Sequence, residues 1–146
     1  MRLTIIAFFA LLFGMNTAIA DGHDKANAFG FALNVPAEHI AEVEAVLASH
    51  MKFMQSTHSV TGDASTRLNS YSVIKGPVLV DPTDPSKGTT GGMMYILSEH
   101  YETPAGFAKH MKASTGWSDL PKMQEMMMKF GVGAVYPGFH MHWLKR

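Results

Sequence analysis

"YILSEHYETPAGFAKHMKAS", residues Tyr95–Ser114, changes periodicity at its midpoint. Its first half ends an apolar strand, Met93–Tyr101, in which Glu99 and Tyr101 share one face and His100 points the other way. Thr103 is a natural helix N-cap, and Pro104 fits the first helical position, where a missing N–H costs nothing. The spacing predicts a helix from there to about Ala113. His110 follows Phe107 by three residues and so falls on or beside the buried stripe of that helix. An imidazole in that place can be an axial ligand, a general base or a core histidine satisfied by a carbonyl.

Outward from this corner, "AFGFALNV" (Ala28–Val35) alternates, with Phe29, Phe31, Leu33 and Val35 on one face and Gly30, Ala32 and Asn34 on the other. Pro36 opens a helix whose apolar stripe reads Ile40, Val43, Leu47, Met51 and Met54. Ser56–Thr66 reads as a loop, Arg67–Gly76 as a second strand and Pro82–Gly92 as a long, mobile hairpin connection. After Trp117, Ser118 can cap a helix of Leu120–Phe130, in which Leu120, Met123, Met127 and Phe130 form the core stripe and Met128 faces out. Gly131 and Gly133 stop it, and Ala134–Lys145 is a last strand that Pro137 places at a sheet edge. The order β-α-β-β-α-(α)-β predicts an α+β chain of the ferredoxin-like, split β-α-β type. Its helices cover one sheet face, and the bare face, bearing Gly30, Ala32 and Asn34, predicts a homodimer.

The first 20 residues are set apart. Arg2, the apolar run "LTIIAFFALLFGM" and the small residues of "TAIA" predict a secretory signal peptide cleaved after Ala20. Residues 21–146 are one domain by length, expected in the periplasm or outside the cell, with no membrane association after cleavage. Setting Arg2 aside leaves 11 Lys and Arg against 12 Asp and Glu, with no basic block, which excludes a nucleic-acid partner. The absence of cysteine leaves an exported domain to its core and to oligomerisation.

The corner also resembles a known family. An apolar strand, Glu99, one residue, the aromatic Tyr101, the Thr103-Pro104 start and His110 nine residues after the aromatic are similar to the strand–helix signature of antibiotic biosynthesis monooxygenases. That resemblance implies a dimeric α+β barrel with a pocket in each subunit between sheet and helices. Some members of the family oxygenate phenolic or polycyclic substrates without metal or flavin. Others bind and degrade haem through the helix histidine, with a strand-one Asn and the aromatic nearby. The resemblance assigns those places to His110, Asn34 and Tyr101; the aromatic is usually Trp in the active groups, and here it is Tyr.

Read residue by residue, Asn34 is either a pocket-floor amide or a cap for the helix after Pro36. Glu99 is either an orienting carboxylate or a structural ion-pair partner. Phe107 and Trp117 are candidate substrate-binding aromatics beside it. His140 and His142 share a strand face at a metal-ligand spacing but make half a site. His50, Met54 and His58 recur every four residues, a set that suits copper(I), although Ser56–Thr57 can end the helix before His58. Of 12 methionines, ten remain beyond the signal peptide, and apolar-pocket filler is the favoured reading for them. The expected function is therefore binding or cofactor-independent oxygenation of a small hydrophobic, aromatic molecule at His110, Tyr101 and Asn34. The alternatives are a haem protein and a non-enzymatic copper protein.

Overall fold

The structure is a computed structural model that describes residues 26–60 and 66–139. The signal-peptide reading of residues 1–20 and the His140/His142 pair lie outside the described residues. The chain runs β1 (Ala28–Val35), a 3-10 turn (Ala37–His39), α1 (Ile40–Thr57), β2 (Leu68–Leu79), a 3-10 turn (Pro85–Lys87), β3 (Thr89–Tyr101), α2 (Pro104–Ser114), α3 (Leu120–Phe130) and β4 (Gly131–Gly138). The four strands form an antiparallel sheet in the order β2-β3-β1-β4. This α+β arrangement is compatible with a ferredoxin-like fold. No helix among the described residues is long and apolar enough to cross a membrane.

The alternation seen in the sequence decides which sheet face is covered. Phe31, Leu33 and Val35 of β1 and Tyr95 and Leu97 of β3 pack with Val43, Val46 and Leu47 of α1 and Met123, Met126 and Phe130 of α3. Each such side chain contributes about 1.5–3 kcal/mol by leaving water. A second apolar cluster, around Met54, Leu68, Tyr101 and Phe107, lies further along the same elements. The α2 corner is built as its sequence predicts: the Thr103 hydroxyl accepts from the Gly106 N–H at 3.0 Å, with Pro104 in the first turn.

Five expectations are corrected. The buried stripe of α1 runs Val43, Val46, Leu47, His50 and Met54, while Met51 is 41% exposed, so a histidine takes the place given to a methionine. The hairpin connection is residues 80–88, shifted and somewhat shorter than expected, because β2 runs on to Leu79 and Thr89–Gly92 belong to β3. Its tip is tied down by Asp81, which accepts from the Thr83 N–H at 2.9 Å and from Lys87 Nζ at 2.7 Å. Asp119, not Ser118, precedes α3; its carboxylate takes no capping bond and instead accepts from Ser49 Oγ at 2.6 Å. In the α3 stripe Met126 is buried, and Leu120 and Met127 are half-buried against a cavity; Met128 is exposed as expected. β4 starts directly at Gly131 and occupies a sheet edge.

Candidate functional site: a buried histidine–carboxylate cluster at the wall of an apolar cavity

α1 and β3 both cross from the first apolar cluster to the second, and at the crossing each carries a polar residue. On α1, His50 lies between Leu47 and Met54; on β3, Glu99 lies between Leu97 and Tyr101. Glu99 is 0% exposed, and His50 and His110 are also buried. Taking a carboxylate and imidazoles out of water costs several kcal/mol per charge, so packing alone does not favour this arrangement.

Glu99 is approached from both sides. His50 Nε2 lies 3.6 Å from Oε1, and His110 Nε2 lies 3.6 Å from Oε2. Tyr101, two residues along the same strand face, donates its hydroxyl to Oε2. Oε1 has no hydrogen-bond partner among the described residues. One donor atom from each of His50, Glu99 and His110 lies within 4.8 Å of the other two, a set able to hold a metal ion.

A chain of hydrogen bonds behind His110 fixes which way its imidazole is protonated. Thr57 spends its only hydroxyl proton on the Phe53 carbonyl at 2.6 Å. The contact of 2.7 Å between Thr57 Oγ1 and His58 Nδ1 therefore requires an N–H on His58 Nδ1. Burial pushes the His58 pKa down, so its ring is neutral and Nε2 is an acceptor. His110 Nδ1, 3.1 Å from that nitrogen, is then the donor. Desolvation, with the neighbouring His58 and His50, pushes His110 down to about 3, so its ring is neutral too. Its Nε2 is left as a lone pair, aimed at the Glu99 carboxylate. The two atoms stand at a distance too long for a hydrogen bond.

His50 is framed in the same way. Its Nδ1 lies 3.1 Å from the Tyr71 hydroxyl, which can serve as donor or acceptor. Desolvation pushes His50 down to about 4 and Glu99 up to about 7, so burial favours the neutral form of each. The aromatic rings of Phe53 and Trp117 stack at 5.6 Å between centroids, and both pack against His50. Trp117 is held by its Nε1–H, which donates to Ser49 Oγ at 3.3 Å.

The two imidazoles also wall a cavity of about 660 Å³, which runs between α2, α3 and the β1–β4 side of the sheet. Its other walls include Phe31, Trp117, Leu120, Met127 and Tyr136. Met111, Met123 and Met128 line it as well, so the methionine-rich α3 serves as pocket wall as much as core.

The sequence-predicted residues divide. The structure brings His110, Tyr101, Glu99 and Phe107 together, with the Tyr101 and His110 rings 5.4 Å apart and Phe107 5.5 Å from Tyr101. Trp117 joins through His50 at 5.1 Å. Asn34 is not brought to them: it is exposed, between buried Leu33 and Val35, on the sheet face away from the helices. His100 is buried on that other face beside Asn27, 3.1 Å away. Sequence reasoning did not place His50, His58 or Tyr71 in this cluster. The spacing of His50 and His58, eight residues apart, was their one visible signal. No family model, curated protein or solved structure matches the chain.

Proposed function

We propose that the protein binds a small, mainly apolar, aromatic molecule in this cavity, packed against the ring faces of the His50–His110 wall. The observation that carries the reading is the wall itself: a largely apolar, partly open cavity of about 660 Å³ with two buried imidazoles on one side. Small-molecule sites have this composition and a volume of ~300–1,000 Å³. The four flexible thioethers suit a ligand of irregular outline.

Binding is favoured over base catalysis by the engagement of His110. Its Nδ1 is committed to His58 and its Nε2 is turned to Glu99. With a pKa near 3, it is also a weak base for a phenol at neutral pH. The same engagement leaves no ring nitrogen of His110 turned to a haem in the cavity.

We further propose that two copies pair through the bare sheet face, as a ferredoxin-like, dimeric α+β barrel of the antibiotic biosynthesis monooxygenase type would. Ile74 and Ile96 oppose each other across β2 and β3, 63% and 47% exposed, and Ala32 continues the row on β1. Exposed apolar rows of this kind mark association surfaces.

Fluorescence tests the binding reading. The chain has two tryptophans, so Trp143→Phe leaves Trp117 as the only reporter. Titration with 2-naphthol should change Trp117 emission saturably, and Leu120→Asp in the cavity wall should abolish the change. Emission that stays flat, or responds equally in the Leu120→Asp variant, would overturn it.

A further inference from the structure

We propose that His50, Glu99 and His110 form a binding site for one divalent first-row transition cation, ligated by the two Nε2 atoms and the Glu99 carboxylate. Two neutral imidazoles and one carboxylate are a donor set used for zinc and for non-haem iron(II), and they leave coordination positions open. The site does not depend on the identity of any cavity ligand.

Four observations carry it. The donor atoms converge: both His–Glu separations are 3.6 Å, and the whole set lies within 4.8 Å. Ligand atoms held ~2.0–2.2 Å from a tetrahedral ion stand roughly 3.3–3.6 Å apart. Each His–Glu contact is already at that spacing, to one carboxylate oxygen apiece, and the rest of the set must close from within 4.8 Å. Next, His110 Nε2, left without a proton by the relay behind it, lies 3.6 Å from Glu99 Oε2, a spacing that a cation shared between them would use. Glu99 Oε1, fully buried, has no hydrogen-bond partner among the described residues. Buried acceptors are rarely left so.

The fourth is the support behind the ligands. A ligating histidine almost always donates its remote N–H to an acceptor, which fixes its tautomer and ring plane. His110 donates Nδ1–H to His58, which in turn donates to Thr57. Tyr71 stands at His50 Nδ1, and Tyr101 holds Glu99 Oε2. Each first ligand therefore already has its outer partner.

Cobalt(II) and zinc(II) are the probes, added to the chelator-treated full chain with His140 and His142 both replaced by alanine, so the C-terminal pair cannot contribute. One equivalent of cobalt(II) should bind and give a visible d–d band, and zinc(II) should displace it. Glu99→Gln and His110→Ala should each weaken cobalt(II) at least ~10-fold, and His58→Ala, which removes only the outer partner, by ~10-fold or more. Should a variant fail to fold, proton NMR of the cobalt(II)-loaded parent decides: two exchangeable, hyperfine-shifted imidazole N–H signals are expected, the Nδ1–H of His50 and of His110. Absence of a stoichiometric band, unchanged affinity in folded variants, or no shifted N–H signals would overturn the proposal.

Discussion

His58 Nε2 and His110 Nδ1 lie 3.1 Å apart although 52 residues separate them in the chain, and this contact decides which nitrogen of His110 faces Glu99. It joins the end of α1 to the middle of α2. It also makes the tautomer of one buried ring depend on a hydroxyl, that of Thr57, at a helix terminus.

Removing His58 should expose that dependence. His58→Ala leaves a buried N–H of His110 without its acceptor, a loss of about 1–3 kcal/mol. Urea unfolding should show that loss, and long-range 15N–1H spectra should show the His110 ring leaving the Nδ1–H form. A variant with unchanged stability and an unchanged His110 tautomer would mean that the relay does not exist.

Two tyrosines on one strand face make a controlled comparison. Tyr101 donates to a carboxylate that is wholly buried, whereas Tyr95 donates at 2.8 Å to Glu44, which is open to solvent and also paired with Lys75 at 2.8 Å. Tyr101→Phe should therefore cost about 1.5–3 kcal/mol and Tyr95→Phe less than about 1 kcal/mol. Equal shifts in the urea midpoint would contradict the burial argument.

The hairpin tip should be acid-resistant. Its Lys87 and Thr83 hydrogen bonds hold the Asp81 carboxyl at about 2, below the ordinary 3.8. A carboxyl lowered in the folded state stabilises above its unfolded pKa, and that contribution is lost as pH falls through the folded one. The Thr83 amide shift should therefore hold to about pH 3 and move only as the solution approaches pH 2. Movement centred near pH 4 would show that Asp81 is not held.

These outcomes also mark how far the sequence could be read. Thr103-Pro104, the bounds of α3 and the alternation of β1 and β3 were legible because caps and periodicity are local; the grouping of His110 with Tyr101 came through the resemblance, and the place of Glu99 between two imidazoles was not legible. His50 was not, because an apolar count along α1 prefers Met51 to a histidine one position earlier. An amphipathic pattern scores hydrophobicity, while the cluster requires a buried polar group. His58 lies just past the helix end, and only the tertiary fold carries it to His110. Asn34 was assigned through the resemblance, but period-two geometry sends it to the face opposite Leu33 and Val35.

The bare face gives a separate prediction. If Ile74 and Ile96 are covered by a second copy, the chain should sediment as a dimer at micromolar concentration, and Ile96→Asp should yield a folded monomer. A monomeric parent protein would remove the barrel reading while leaving the cavity untouched.

The methionine methyl groups offer the most direct measurement of the cavity's role. Met111, Met123, Met127 and Met128 line it, whereas Met51 projects from α1 elsewhere and Met126 belongs to the core. In a chain labelled with 13C-methyl methionine, saturating 2-naphthol should shift the four lining methyls and leave Met51 and Met126 in place. Shifts absent from those four, or confined to Met51 and Met126, would contradict a ligand held against the His50–His110 wall.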